Sequence, residues 1–365
     1  MAKKTLYDIP VNENLIWDYD FKESDYKTER FFKWYLARVL SYGTAYDIRY
    51  IKPHIIKKYL PELNLPRRIA KFWFNYLNLK ENYMWRVSEA RKELMAITDW
   101  EKYFTKILYR PFDIREIYYH DSVVWRTRRE VMKHMLKENL GLITVRQVKA
   151  GSVWNHCFST NQIIESSVIS NKTSEINYLF PLYLYSNSDK KPNFSPEFVK
   201  FISGKYDEKV TPEEIFYYIY AVLYSPTYRK KYKEFLQYDF PRIPFVEDYG
   251  KFKKLSDLGK ELVELHLMKK RLPTKVKFDI PGSNVVEKVK YENGKVWINK
   301  KQYFDGVPED VWNFYIGGYQ VLDKWLKSRK NRKLESKDIE QFLQIVEIVR
   351  ETIGLMEEID KIKVA

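Results

Sequence analysis

The stretch Ile107-Leu-Tyr-Arg-Pro-Phe-Asp-Ile-Arg-Glu-Ile-Tyr-Tyr-His120, followed by Arg126-Thr-Arg-Arg129, Glu130-Val-Met-Lys-His-Met-Leu136 and Leu140-Gly-Leu-Ile-Thr-Val-Arg-Gln147, is where the chain stops reading as helix and begins to read as strand. Arg110, Arg115, Arg126, Arg128, Arg129 and Arg146 recur there beside Tyr109, Phe112, Tyr118, Tyr119 and Trp125. Guanidinium groups pair with phosphate or with guanine edges, and planar rings stack, so the combination suits a polyanion. A structural reading stands beside it: Arg110 with Asp113, or Arg115 with Glu116, would also serve as ion pairs internal to the fold.

Outward from this stretch, residues 1–100 read as a helical scaffold. Phe31, Phe32, Tyr35, Leu36, Val39 and Leu40 recur at three- and four-residue spacing, and Gly43 is placed to end that helix. Ile69, Phe72 and Leu77 offer a second stripe, and Trp85 to Ile97 a third segment. An aromatic stripe at helical spacing is far more often core than ligand site, which assigns this region to packing. On the other side, Leu140 to Val145, Ile163 to Ser170 and Tyr178 to Tyr185 are expected strands, and Asn187 to Lys191 an expected solvent loop.

Thr211-Pro-Glu-Glu214 is a helix start with a capping box, and Leu255, Leu258, Leu262 and Leu265 mark an amphipathic helix. Asn293-Gly294, the preferred type I′ pair, centres a hairpin within Val285 to Asn299, and a last helix is expected from about Ser336 to Ile359. The fold class is therefore α+β: a helical amino-terminal part (1–100), a central mixed β-sheet core (101–205) and carboxy-terminal helices with a β-hairpin (206–365).

The 365-residue chain carries a formal net charge of +15, which favours an acidic partner, and its 30 Tyr, 21 Phe and 10 Trp supply stacking groups. Compositional bias alone inflates Lys, Tyr and Glu but does not cluster arginines. Cys157 is the sole cysteine, which rules out an intrachain disulfide. Neither a run of about 18 apolar residues nor a signal-peptide core is found, so a cytoplasmic protein without membrane association is expected. His54, His120, His134, His156 and His266 show no ligand spacing with one another or with Cys157, so no metal site is expected, and His266 reads as structural.

In order, Tyr109-Arg-Pro-Phe-Asp-Ile-Arg115 with Tyr118-Tyr119, Arg128-Arg-Glu-Val-Met-Lys-His-Met135, Ser170-Asn171, Phe180-Pro-Leu-Tyr-Leu-Tyr185, Phe240-Pro-Arg-Ile-Pro-Phe245 and Trp312-Asn-Phe-Tyr-Ile-Gly-Gly-Tyr-Gln-Val-Leu322 with Lys324-Trp325 span roughly residues 85 to 360. Each motif is weak alone; the ordered set resembles the carboxy-terminal specificity (target-recognition) region of type ISP restriction-modification enzymes and of related type IIG adenine methyltransferases. The resemblance implies sequence-specific recognition of double-stranded DNA for an adenine-N6 methyltransferase or restriction enzyme. No Pro-Pro dipeptide, Phe-x-Gly-x-Gly turn or Walker A motif occurs. No cofactor is therefore expected in this chain: S-adenosylmethionine and Mg²⁺ would belong to catalytic domains that it lacks. A separate methyltransferase or nuclease polypeptide is a second candidate partner.

The candidate DNA-contacting residues are Arg126, Arg128 and Arg129, then Arg146, Gln147 and Lys149 with Asn155, and Asn171 with Lys172. Arg and Gln read guanine and adenine edges, and Lys suits phosphate. Arg128 and Arg129 open a helix expected to begin near Glu130, whereas Arg110, Asp113 and Arg115, constant in the family pattern, read as scaffold. Two other functions stay open. Asp323, Glu335 and Lys337 loosely match the carboxylates and lysine of a metal-dependent endonuclease, although Glu335 to Lys337 reads as a helix start rather than a strand. Alternatively, the chain is an interaction subunit that touches DNA only together with a methyltransferase.

Overall fold

Thr28 accepts a hydrogen bond from the Phe31 N–H and so caps helix α1 (Glu29–Tyr42), which buries Phe31, Phe32, Tyr35, Leu36, Val39 and Leu40, the stripe expected from spacing. The computed structural model describes residues 3–16, 21–66, 69–70, 72–73, 77, 87–149, 153–172, 175–187, 189–206 and 209–363. The chain divides into two units: Met1–Lys102 with His120–Trp125, and Tyr103–Tyr119 with Arg126–Ala365.

In the first unit, α1 packs with the short helices α2 (Ala45–Ile48) and α3 (Pro53–Tyr59) around a core that includes Ile9, Leu15, Tyr26, Ile56 and Trp73. Ile69 and Leu77 pack against that core while Phe72 is exposed. Helix α4 spans Val87–Ala96; Trp85 and Arg86 lie outside the described residues.

The second unit is built on small sheets. Strands β1 (Phe104–Arg110) and β2 (Asp113–Tyr118) form an antiparallel hairpin, and the short β5 (Ile163–Ile164) runs parallel to β1. The turn between β1 and β2 carries Phe112 at φ +61° and drives its ring into the core, edge-on to Phe158 and His266. Strand β3 (Gly141–Val145) lies between β4 (Cys157–Thr160) and β6 (Asn177–Pro181), both antiparallel to it. Its inward side chains Ile143 and Val145 are fully buried.

One core spans the whole second unit. Helices α6 (Pro212–Tyr224), α8 (Tyr249–His266) and α9 (Ser336–Asp360) bury Tyr220, Leu262 and Ile345 in the same cluster as Ile143 and Phe158, and the short α7 (Pro226–Lys231) follows α6. Thr211 closes the capping box with Glu214, as the sequence dictates. The Asn293-Gly294 turn, at φ +47° and +78°, joins β9 (Lys290–Glu292) to β10 (Lys295–Trp297) and pairs Tyr291 with Val296. Strand β11 (Tyr303–Asp305) pairs with the other edge of β10. The hairpin ladder ends at Lys290 and Trp297, short of the expected Val285 to Asn299, and beyond it the Ile298 carbonyl accepts the N–H groups of Glu287 and Lys288.

Three local expectations are corrected. Ile163 to Ser170 is not one strand: only Ile163–Ile164 pairs, and the Glu165 carboxylate then accepts the Ser167 N–H at 2.9 Å, turning the chain. Tyr178 to Tyr185 is interrupted at Leu182, whose N–H goes to the Leu140 carbonyl, so β6 is followed by a separate β7 (Tyr183–Ser186). Asn187 to Lys191 is not a free loop but the bend of a hairpin, with β8 (Asp189–Pro192) paired to β7. These breaks divide the strands among several small sheets, and among the described residues only β2-β1-β5 mixes parallel and antiparallel pairing. Among the described residues no helix is long and apolar enough to cross a membrane.

Candidate nucleic-acid interface

The chain leaves β3 through Arg146, Gln147, Val148 and Lys149, with the three polar side chains exposed and Val148 turned inward. Two contacts fix this exit. The Val148 N–H donates to the Gln237 carbonyl at 3.1 Å, and the Lys149 N–H donates to the Glu175 carboxylate at 3.1 Å. Arg146 Nε donates to the Asp239 carboxylate at 3.3 Å across solvent-facing surface, an exposed pair that solvent screens. Glu175 is itself buried, on the chain that returns toward β6, and its other oxygen accepts His156 Nε2 at 3.0 Å and the Ser170 hydroxyl. One carboxylate thus joins three loops.

Burial raises the cost of that charge, but the hydrogen bonds from Ser170 and the Lys149 backbone, with His156 beside it, hold the Glu175 carboxyl below its ordinary range. Burial pushes the His156 imidazole below its ordinary range despite the neighbouring carboxylate, so the ring is neutral and donates through Nε2. The result is a buried anion beneath exposed Arg146, Gln147, Lys149 and Asn171, with Lys172 Nζ 3.9 Å from the Glu175 carboxylate.

Asn155, expected to face DNA, is half-buried and ties neighbouring segments together. Its Oδ1 accepts Arg229 Nη1 at 3.3 Å, and its carbonyl accepts the Gly317 N–H at 2.7 Å. Gly317, at φ +57°, lies in the turn between β12 (Tyr315–Ile316) and β13 (Tyr319–Gln320). A Cβ there would sit 1.9 Å from the Ile169 carbonyl oxygen, so only glycine admits this approach. The next N–H, of Gly318, donates to that same carbonyl, and the Tyr319 hydroxyl donates to the Ser167 carbonyl at 3.0 Å. The Ile-Gly-Gly-Tyr segment therefore clamps the loops at 155 and 167–170 from beneath.

The arginines of the 126–129 segment adopt another geometry. Arg126 and Arg128 are left-handed, at φ +59° and +51°, and Arg129 begins the single-turn helix α5 (Arg129–Met132). The expected helix start at Glu130 is thus present, but a four-residue helix has too few aligned peptides to form a strong anion site. Arg128 lies 3.9 Å from Glu130 with both side chains well exposed, and Arg129 lies over the Tyr119 ring at 5.5 Å. Helix α5 packs beside β6, whose Tyr178 and Phe180 are partly exposed and meet Phe240 edge-on.

Arg110, Asp113 and Arg115 are scaffold, with partners other than the simplest local ones. Buried Arg110 pairs with Glu165, while buried Asp113 accepts Arg115 at 2.7 Å and Arg329 at 3.2 Å. Arg329 also lies over the Trp325 ring at 3.4 Å and reaches Asp338 at 3.5 Å. These ties lock the β1–β2 turn to the carboxy-terminal helices.

Asp323 forms a helical ion pair with Lys327 at 2.7 Å, and Glu335 with Lys337 at 3.4 Å at the start of α9. Among the described residues no group of three or more His, Cys, Asp or Glu is arranged to hold a metal. His266 donates and accepts within a buried pair of contacts, to Tyr220 at 2.5 Å and Thr352 at 3.0 Å.

Structure adds residues that the sequence does not single out. Helix α7 sends Arg229 to Asn155 and leaves Lys230 and Lys231 exposed, with Lys233 just beyond. The basic run Arg229-Lys-Lys231 is visible in the sequence; its proximity to Asn155 is not.

The family model for the type ISP C-terminal specificity domain matches residues 55–358. The chain belongs to the type ISP C-terminal specificity domain family. Three solved structures resemble this specificity domain. A nuclease-deletion mutant of the type ISP restriction-modification enzyme LlaGI, in complex with a DNA substrate mimic, aligns with TM-score 0.56 at 19% identity, over 70% of this chain and 20% of that one. The ATP-dependent type ISP enzyme LlaBIII bound to DNA aligns with TM-score 0.61 at 18% identity, over 84% and 21%. A DrdV–DNA complex aligns with TM-score 0.65 at 21% identity, over 86% and 33%. The specificity domain thus spans between a fifth and a third of the length of these neighbours. No curated protein matches it.

Proposed function

We propose that this specificity domain recognises a target sequence in double-stranded DNA in the cytoplasm, on behalf of an adenine-N6 methyltransferase or restriction enzyme of the type ISP or type IIG kind. The observation that carries it is the family match over most of the chain, joined to structural neighbours that were each solved with DNA. Exposed Arg146, Gln147, Lys149 and Asn171, with half-buried Lys172, supply base-reading and phosphate-binding side chains on loops held from below.

Arg126, Arg128 and Arg129 extend the contact. Arg128 and Arg129 act on phosphate, and Arg126 acts on a base edge or in the minor groove. Asn155 supports these loops rather than reading a base, since its amide oxygen and backbone carbonyl are already engaged. S-adenosylmethionine and Mg²⁺ are not bound by this chain; any methyl transfer or cleavage is performed by other domains or by a separate polypeptide.

The test is binding of a randomised duplex pool, without Mg²⁺ and without cofactor, followed by sequencing of the retained fraction. Enrichment of one motif supports the reading, and retention without enrichment contradicts it.

A further inference from the structure

We propose that the amino-terminal helical unit carries a second duplex-binding surface, a sequence-independent phosphate clamp built on Arg49, Lys52 and Lys57. This rests on the reading of the chain as a DNA-recognition domain but concerns a different face, most of which precedes the first residue of the family match.

The clamp centres on Arg49. Its guanidinium carbon lies 3.8 Å from the centroid of the Tyr46 ring and 4.7 Å from that of Tyr50, and Nη2 donates to the Tyr50 hydroxyl at 2.5 Å. The Tyr50 hydroxyl in turn donates to the Tyr46 hydroxyl at 3.1 Å. An exposed arginine normally gives up rotamer freedom on binding, whereas here two rings and a hydrogen bond have already ordered the fork. The rings are occupied by the cation, so they orient it rather than offer their faces to bases.

Among the described residues the charge of Arg49 meets no carboxylate partner. From Ile48 to Pro61 the sequence has no Asp or Glu, while Arg49, Lys52, Lys57 and Lys58 are all exposed. The nearest carboxylate in sequence, Asp47, is buried and turned away. Its Oδ2 accepts the Thr44 N–H and hydroxyl, each at 2.8 Å, and its Oδ1 accepts Asn12 Nδ2 at 2.8 Å. Among the described residues no carboxylate lies within ion-pair distance of Arg49, Lys52 or Lys57.

Lys58 has a partner, donating to the Tyr7 hydroxyl at 3.4 Å, and is left out of the clamp. A solvated basic face usually intersperses acids. A run of exposed cations with no acidic residue among them in sequence, carrying an ordered guanidinium, matches the regular negative charge of a phosphate backbone better than the mixed surface of a protein.

The experiment uses the full chain and measures duplex affinity against salt for wild type, for the triple variant Arg49→Ala/Lys52→Ala/Lys57→Ala, for Tyr50→Phe and for Arg146→Ala/Lys149→Ala. Each lost phosphate contact should flatten the slope of log K against log salt by about 0.9. The triple variant is expected to flatten it by about two to three units on every sequence, leaving the ratio of cognate to random affinity unchanged. Tyr50→Phe keeps all charges and both rings but removes the hydrogen bond that orients the guanidinium, and should weaken binding by about twofold to tenfold with the slope retained.

Unaltered melting of the first unit serves as the folding control for these surface changes. If the triple variant binds with wild-type affinity and slope while Arg146→Ala/Lys149→Ala weakens binding, the clamp is overturned and the recognition reading survives. An affinity loss confined to one sequence would overturn it too, as would wild-type protein that binds no duplex, which removes both readings together.

Discussion

Glu175 accepts a hydrogen bond from His156 Nε2 at 3.0 Å, with both side chains buried. This pair sets the position of the loops that carry the candidate DNA contacts, because the same carboxylate also takes the Ser170 hydroxyl and the Lys149 N–H. Removing it with Glu175→Ala leaves three donors without their acceptor. The expected loss is about 3 kcal/mol, in line with breaking a buried charged network, and a denaturant titration measures it.

The acid limb of stability follows from the same groups. His156 and His266 are both held below the ordinary imidazole value of 6.5 by burial, His266 down to about 3. Glu175 is held below its ordinary 4.5. In every case the unfolded chain takes up the proton first as pH falls. Stability present near neutrality should therefore decline below the ordinary histidine range, and decline further through the carboxylate range. Melting temperatures measured from about pH 7 to about pH 4 should fall steadily; a flat profile would mean that these histidines are not buried neutral.

Gly317 and Gly318 predict a contrast. Gly317→Ala places a methyl group 1.9 Å from the Ile169 carbonyl oxygen at a positive φ, whereas Gly318→Ala meets the Ser170 hydroxyl at 3.0 Å. The first should cost upwards of about 2 kcal/mol and shift the loop that ends in Asn171; the second should cost less, since Gly318 is not at a positive φ and its new methyl group meets a side-chain hydroxyl at 3.0 Å rather than backbone at 1.9 Å. Thermal melts of the two variants decide between them.

Asp113→Ala separates scaffold from interface. It leaves Arg329 buried, with Asp338 as its remaining carboxylate partner, and frees Arg115. About 3 kcal/mol of stability should be lost while the salt slope of DNA binding stays unchanged in protein that remains folded. A flattened slope would instead assign Arg115 to phosphate.

Features set by neighbouring residues are legible in the sequence. Asn293-Gly294 dictates its hairpin and Thr211 its cap, because each acts on backbone within four residues. The break after Ile164 is not legible: no glycine or proline marks it, and it is the carboxylate of Glu165, shared between Ser167 and the distant Arg110, that bends the chain. Asn155 shows the same limit. Its residue type suits an adenine edge, and the sequence carries no sign that Arg229, 74 positions away, and Gly317 engage its amide oxygen and carbonyl. Lys149, Asn171 and Lys172 stand out singly in the sequence, and only the buried Glu175 reveals that they belong to one platform.

Arg128 has the residue type for phosphate contact, and its weak, exposed approach to Glu130 at 3.9 Å leaves that role open to it. Arg128→Ala should weaken all duplex sequences alike and flatten the salt slope by about one unit. Lost thermal stability with unchanged affinity would instead make Arg128 a fold residue.

The measurement that bears most directly on the recognition reading is selection of duplex sequences by wild type and by Gln147→Ala/Arg146→Ala in parallel. These two side chains leave β3 exposed, on a strand exit pinned to Gln237 and Glu175, and the proposed function assigns base reading to them. Wild type should enrich a defined motif, and the variant should lose discrimination at one or two positions of it, by about 1–3 kcal/mol each, while retaining most of its affinity for random duplex. An unchanged motif in a folded variant would contradict base reading by the Arg146–Gln147 pair.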